Sequence, residues 1–236
     1  MDLILHIAMF LIASVVIIVS ALGLVKTADV IATQTGWGRV WVGSLLLGGA
    51  TSLPELVTVS SAVHFLQPLE GANLAMGTVF GANMMNVSKL TLIIALLGGR
   101  DFFQLLSNDQ RILAAIALAL TIATFFLSII GMDFRWLFLS PATLIILFLY
   151  FISQRCLMRW SSNLNTAQKT KPDRSLRWAW SVFLLSAIAV FVAAPFLAIS
   201  ASNIADHTGF GESFIGVLGV GLVTSLPELA STITAI

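Results

Sequence analysis

The chain has 236 residues, of which 58% are apolar and only 10% are charged, and its formal net charge is +1. Soluble domains carry roughly 25% charged residues, so this composition excludes an ordinary soluble domain and indicates an integral membrane protein. The near-neutral charge gives no reason to expect nucleic acid as a partner. The single cysteine, Cys156, cannot form an internal disulfide.

Seven apolar segments are separated by polar clusters, and each is long enough to cross a bilayer as a helix. In chain order they are Leu3–Val25, Val40–Leu66, Ala72–Leu97, Ile112–Ile130, Phe134–Ile152, Trp178–Ser200 and Ser213–Ile236. The first segment exceeds the apolar core of a signal peptide, which has about 7–15 residues. The sequence therefore predicts an all-α integral membrane protein with seven transmembrane helices.

Lysine and arginine residues predict how the chain is oriented. Six of them cluster around the connection between the fifth and sixth segments: Arg155, Arg159, Lys169, Lys171, Arg174 and Arg177. Positively charged loops remain on the cytoplasmic side of a membrane. We therefore expect a cytoplasmic linker at residues 156–177, an N-terminus outside the cell, and two halves, residues 1–155 and 178–236.

The two halves share an internal repeat at an offset of 173 residues. The motif Thr-Ser-Leu-Pro-Glu-Leu occurs at residues 51–56 and again, without a mismatch, at residues 224–229. Upstream, Thr35–Gly38 aligns with Thr208–Gly211. The two copies lie in the second and seventh segments, which are predicted to cross the membrane in opposite directions. This pattern indicates an inverted repeat, an architecture of secondary transporters whose binding site lies near the midplane.

A proline in each motif exposes backbone oxygen inside a predicted membrane helix. Pro54 has no N–H, so the carbonyl of Ala50 loses its helical hydrogen bond. Pro227 has the same effect on the carbonyl of Val223. Each motif therefore offers a carbonyl oxygen close to its glutamate.

Carboxylates and hydroxyls add to this set of oxygen donors. Glu55 follows Thr51 and Ser52 at helical spacing, so these side chains share a face. The second copy repeats the arrangement with Thr224, Ser225 and Glu228. Calcium takes about 6–8 oxygen ligands, and no His or Cys cluster favours zinc or copper. A bound cation would offset the cost of charge in the bilayer, about 2.5 kcal/mol or more per group. The alternative is a pair of protonated glutamates that only bond neighbouring helices.

These residues resemble the calcium/cation antiporter family, which includes sodium/calcium exchangers. The resemblance rests on Gly49–Leu56, on Ala75–Asn86 and on the second motif through Leu229. It implies that paired glutamates hold the transported ions, Ca²⁺ and Na⁺ or H⁺, without a cofactor. It also implies alternating access through sliding of the first and sixth helices. The implied ligands are Glu55, Glu228, Thr51, Ser52, Thr224, Ser225, Asn86 and the carbonyls of Gly48 and Gly221.

The chain departs from the family pattern at several points. Thr78 stands where the family has asparagine, and Ala82 where it has a serine ligand. The sequence stops at Ile236 within an apolar run, whereas the family has about three more spans. We therefore expect a ten-span protein truncated within its second repeat. Gly77 and Gly81, four residues apart, predict close helix packing.

Lys89 lies deep within the third predicted span. Its spacing places it on the same helix face as Ala82 and Asn86. One hypothesis is that its ammonium pairs with Glu55 and substitutes for a coupling sodium ion. The alternative is that the side chain stretches toward water at the inner end of the helix.

Two functions remain open at this stage. The first is a secondary active antiporter that exchanges calcium for sodium or protons across the cell membrane. The second is a non-transporting, degenerate exchanger or membrane scaffold with an incomplete ion site, which would associate with itself or with the missing C-terminal helices. Besides these ions, the lipid bilayer is the expected partner. The sequence contains no nucleophile–base arrangement that would indicate an enzyme.

Overall fold

The computed structural model describes residues 2–35, 46, 48–96, 108–130, 141–161 and 174–234, and almost all of these are helical. The first three helices are α1 (Asp2–Thr35), α2 (Gly48–Phe65) and α3 (Pro68–Leu96). They are followed by α4 (Asn108–Ile130), α5 (Pro141–Ser161) and α6 (Leu176–Thr208). The last part is one interrupted helix, formed by α7 (Glu212–Ile215), a π-helical turn (Gly216–Val220) and α8 (Gly221–Thr234).

Each of these seven helical stretches overlaps one of the seven predicted segments, so the all-α prediction is confirmed for the described residues. Some predicted features lie outside them. These are the starts of the second and fifth segments (residues 40–45 and 134–140), the end of the third (Leu97), the repeat at residues 36–38, most of the basic linker (residues 162–173) and residues 235–236.

The chain divides into two compact units. The larger unit, Met1–Ile93 with Lys169–Ile236, contains α1, α2, nearly all of α3, and α6 to α8. The smaller unit, Ile94–Gln168, contains α4 and α5, which pack against each other. The predicted halves, which were defined by the sequence repeat and not by packing, stay a prediction. All candidate site residues lie in the larger unit.

The long helices α1 and α6 run antiparallel and form the main packing interface of the larger unit. His6 near the start of α1 lies beside His207 near the end of α6, and Gly23 lies against Ser186. The buried side chains of both helices are small or aliphatic and recur at helical spacing, which lets helices approach closely. They are Ala13, Ile17, Ala21, Leu24, Ala28 and Ile31 from α1, and Val190, Ala194, Leu197, Ala201 and Ala205 from α6.

Both helices are longer than predicted. The first segment was expected to end at Val25, before a polar run, yet α1 continues to Thr35. Burial explains the difference, because the α1 side chains after Val25 still pack in the core. The buried hydroxyl of Thr27 donates to the Gly23 carbonyl at 2.7 Å, so it adds no unsatisfied polar group. α6 extends to Thr208 and ends at Gly209, whose φ of 74° provides a left-handed C-cap.

Three helical stretches in the described residues are long and apolar enough to cross a membrane: Leu3–Thr35, Leu176–Thr208 and Glu212–Leu229. Shorter apolar runs, Ala114–Leu127 and Pro141–Ser153, lie in α4 and α5. Large apolar side chains such as Leu11 and Val19 on α1 and Leu185 and Phe191 on α6 are exposed. Exposed apolar surface of this extent is unusual in soluble proteins and is typical of lipid-facing helices.

Candidate cation site

Glycines bring α3 into backbone contact with the interrupted helix. A Cβ on Gly77 would collide with the Ser213 carbonyl, and a Cβ on Gly81 would lie 2.6 Å from the Val217 carbonyl. Further along, a Cβ on Gly221 would lie 3.1 Å from the Cα of Gly81. The close packing predicted from Gly77 and Gly81 is therefore confirmed. Because the contacts advance in the same direction on both helices, α3 runs parallel to α7 and α8.

The second helix runs in the opposite direction. A short turn joins α2 to α3, and Gly71 packs back against the Ala62 carbonyl, so α2 and α3 are antiparallel. α2 is consequently antiparallel to α8, against which it also packs. Each of these two helices contains its motif proline, Pro54 or Pro227. The opposite directions of α2 and α8 agree with an inverted repeat. The inverted repeat of the two complete halves stays a prediction.

Described residues of the two halves match at the offset of the sequence repeat. Thr35 and Thr208 are both helical, as are Gly48 and Gly221, and the members of each pair are 173 positions apart. Glu55 follows Gly48 by the same number of helical residues by which Glu228 follows Gly221.

Glu55 presents a buried carboxylate toward α8. Neither of its oxygens accepts a hydrogen bond of regular geometry from a described residue. The side chain of Thr224 lies beside this carboxylate, and Glu228 interacts with it electrostatically. The Thr224 hydroxyl donates to the Gly221 carbonyl, at 3.4 Å. A buried carboxylate that accepts no regular hydrogen bond is costly, so this arrangement of oxygen atoms is suited to a cation.

Lys89 of α3 contacts the second motif. Its Nζ lies 3.6 Å from Glu228 Oε2 and donates to the Ser225 carbonyl at 2.9 Å. The Lys89 and Glu228 side chains are only 13% and 20% exposed. Asn86, one turn earlier on α3, lies beside the Glu228 carboxylate. Lys89 also interacts electrostatically with Glu55.

The hypothesis that the Lys89 ammonium pairs with Glu55 is therefore wrong about the partner residue. The ammonium pairs with Glu228. The reason is that α3 follows α8 in parallel at glycine contact distance. This packing brings Lys89 level with the second motif.

The remaining predicted ligands differ in their burial and in their hydrogen bonds. Thr51 lies one turn before Glu55 and donates its hydroxyl to the Gly48 carbonyl at 3.0 Å, in the same relation as Thr224 to Gly221. Ser225 is buried, and its hydroxyl donates to the Leu222 carbonyl at 3.2 Å. Ser52 is exposed, and no contact joins it to a glutamate among the described residues.

The π-helical turn directly before the second motif was not predicted. Within it, the N–H of Gly221 donates to the Gly216 carbonyl. Such turns are rare and often lie at functional sites. The glycines at positions 216, 219 and 221 are the sequence signal that could have indicated it.

Comparisons with known proteins cover both motifs. The family model described as sodium/calcium exchanger protein matches residues 5–156 and 178–236. The inner membrane protein YrbG of Escherichia coli is 25% identical over 235 residues, which cover 97% of this chain and 70% of that protein. The uncharacterized membrane protein MJ0091 of Methanocaldococcus jannaschii is 24% identical over 238 residues, with 99% and 72% covered. No solved structure matches the chain significantly.

Proposed function

Because the chain belongs to the sodium/calcium exchanger protein family, we propose that it is a secondary active antiporter that exchanges calcium for sodium or protons. Membership of a transporter family supports cation exchange across a membrane and not an enzymatic function. The two relatives, both named as membrane proteins, match nearly the whole chain. The choice of ions and the residues that bind them belong to the proposal.

The observation that carries this function is the position of Glu55. Its carboxylate is buried, accepts no hydrogen bond of regular geometry from a described residue, and interacts electrostatically with Glu228 of the antiparallel helix α8. Two carboxylates that share a buried space repel each other, and a divalent cation between them would remove that cost. The proposed ligands are Glu55, Glu228, Thr51, Ser52, Thr224, Ser225, Asn86 and the carbonyls of Gly48 and Gly221.

Alternating access would follow from the two oppositely directed motif helices. Related helices that cross the membrane in opposite senses can open one site to either side. We propose that the long α1–α6 pair moves relative to α2, α3 and α8. The proposed orientation in the cell membrane places the N-terminus outside and the basic linker, residues 156–177, in the cytoplasm.

The proposal is tested by calcium uptake into inside-out membrane vesicles with an imposed sodium or proton gradient. Parent protein should accumulate calcium, and Glu55→Gln and Glu228→Gln should abolish uptake while leaving the amount of protein in the membrane unchanged. Glu70→Gln is the matched control, because it makes the same chemical change in the first turn of α3. Equal uptake by the parent and both glutamine variants would contradict the proposed site.

Two observations favour the second candidate, a non-transporting exchanger or membrane scaffold. Ala82 lacks the hydroxyl that the family pattern provides, and the Lys89 ammonium already contacts Glu228. In the same vesicle assay, absence of flux in well-expressed parent protein under both gradients would support this candidate.

A further inference from the structure

We infer that the Lys89 ammonium is a tethered cation, which occupies part of the ion site at Glu228 and competes there with the transported ion. This inference rests on the proposed function and adds a specificity-determining residue to it. Its consequence is that the chain binds calcium more weakly, and involves fewer coupling ions, than a site with the same oxygens and no lysine.

The partners of Lys89 are the first argument. Its ammonium contacts the Glu228 carboxylate and the Ser225 carbonyl, at 3.6 and 2.9 Å. A carboxylate and a backbone carbonyl are also the oxygens that a bound alkali or alkaline-earth cation would use. Both lie in the second motif, within one helical turn of each other. The ammonium thus occupies a position at which a free cation would be bound.

The direction of the side chain is the second argument. Gly221 lies level with Gly81 and Ala82, so Ser225 is four residues beyond this level on α8, whereas Lys89 is seven to eight residues beyond it on α3. To reach the Ser225 carbonyl, the side chain must point back toward the N-terminal end of α3, as helical side chains generally do. Stretching toward water at the C-terminal end of α3 would require the opposite direction, and the side chain is only 13% exposed.

The third argument is the backbone packing that fixes this position. Gly77 and Gly81 hold α3 at contact distance from Ser213 and Val217. Lys89 therefore cannot leave Glu228 through a small shift of the helix, and only its flexible side chain can withdraw. Calcium binding at Glu228 must displace the ammonium or tolerate a positive charge a few ångströms away.

The charge balance of the site determines which cations it prefers. If a bound cation holds both glutamates in their ionised form, their charges and that of the Lys89 ammonium sum to about −1, which one monovalent cation neutralises. A calcium ion added to the same site leaves an uncompensated positive charge in a buried space, which is unfavourable. Lys89 therefore shifts the preference of the site away from divalent and toward monovalent cations.

The experiment measures equilibrium binding of radioactive calcium to the purified full chain in lipid nanodiscs. Lys89→Met, which keeps the length of the side chain and removes its charge, should bind calcium at least about tenfold more tightly than the parent. Lys89→Arg should bind like the parent, because it retains the charge. Lys26→Met removes the same charge from α1 and should leave the affinity unchanged. Lys89→Gln retains a donor for the Ser225 carbonyl and gives the same test if Lys89→Met does not fold.

A second measurement does not involve calcium. In Lys89→Ala, sodium should bind in the space left by the ammonium, so that sodium chloride raises the midpoint of thermal unfolding more than it does for the parent. Choline chloride at the same ionic strength controls for general salt effects. Equal shifts in Lys89→Ala and the parent would overturn the inference.

The outcomes separate this inference from the proposed function. If calcium binding depends on Glu55 but is equally tight in the parent and in Lys89→Met, the inference about Lys89 is overturned and the proposed function is not. Binding in Lys89→Met without binding in the parent would support the inference and contradict calcium as the cargo of the parent. Absence of binding in both proteins would contradict both.

Discussion

Lys89 Nζ lies 3.6 Å from Glu228 Oε2, so that an ion pair joins α3 to α8 inside the candidate site. The two residues are far apart in sequence, and they meet because the glycines of α3 allow backbone contact with the interrupted helix. The same lysine donates to the Ser225 carbonyl at 2.9 Å. One side chain therefore combines a structural contact between two helices with an electrostatic effect on a proposed ion ligand.

A double-mutant cycle tests the structural contact. Lys89→Met leaves the largely buried Glu228 carboxylate without its ammonium, so the free energy of unfolding should fall by about 1–3 kcal/mol. Combining it with Glu228→Gln should cost less than the sum of the two single changes, with a coupling energy of about 0.5–3 kcal/mol. The measurement is reversible unfolding in detergent micelles without calcium. Additive single changes would show that the ion pair contributes nothing to stability.

The glycine contact between α3 and the interrupted helix makes a second prediction. Gly77→Ala introduces a Cβ that would collide with the backbone of Ser213, which cannot rotate away. The helices must separate, and we expect a loss of about 1–3 kcal/mol in the free energy of unfolding. Gly49→Ala is the control, because its added Cβ would meet nothing within 4 Å. A Gly77→Ala protein as stable as Gly49→Ala would contradict the observed packing.

Sequence predicted the helices well because long apolar runs determine where a chain crosses a membrane. It failed at the end of α1, where Lys26 and Thr27 interrupt the apolar run. There the helix continues because Ala28 and Ile31 are buried in the core, and burial by other helices leaves no local signal.

The sequence predicted some contacts of the candidate site and missed others. The repeated motif indicated that Glu55 and Glu228 belong together, and spacing placed Lys89 on the face of α3 that carries Asn86. Spacing within one helix cannot decide which neighbouring helix that face contacts. The partner of Lys89 depends on the parallel course of α3 and α8, and therefore on the glycine contacts between α3 and the interrupted helix.

Calcium should stabilise the folded protein through Glu55. A ligand that binds only the folded state adds about 2.7 kcal/mol at a concentration of 100 times its dissociation constant. We therefore expect calcium to raise the midpoint of thermal unfolding of the parent and of the control Glu70→Gln. Glu55→Gln should lose this response, because the amide cannot compensate a divalent charge. A calcium-dependent shift of equal size in Glu55→Gln would show that the ion binds elsewhere.

The interface between α1 and α6 offers a test of the proposed motion. A Cβ on Gly23 would lie 3.6 Å from the Cβ of Ser186, within the range of about 3.5–4.5 Å that a disulfide requires. In a Cys156→Ser background, which removes the only native thiol, Gly23→Cys with Ser186→Cys should form this disulfide on mild oxidation. If α1 and α6 move as one body, calcium flux should remain at about half the parent rate or more.

The matching experiment links α1 to the site helices. The Phe10 ring of α1 lies 3.4 Å from the position of a Cβ on Gly219 in the π-helical turn. Bridging Phe10→Cys and Gly219→Cys with a bifunctional thiol reagent should stop calcium exchange, because α1 could no longer shift relative to α8. A reducible reagent should allow recovery on reduction, and each single-cysteine variant treated alike controls for simple modification. Two outcomes would contradict the proposed motion of the α1–α6 pair relative to the site. One is calcium exchange that continues with Phe10 and Gly219 linked, and the other is calcium exchange that stops when the Gly23–Ser186 disulfide forms.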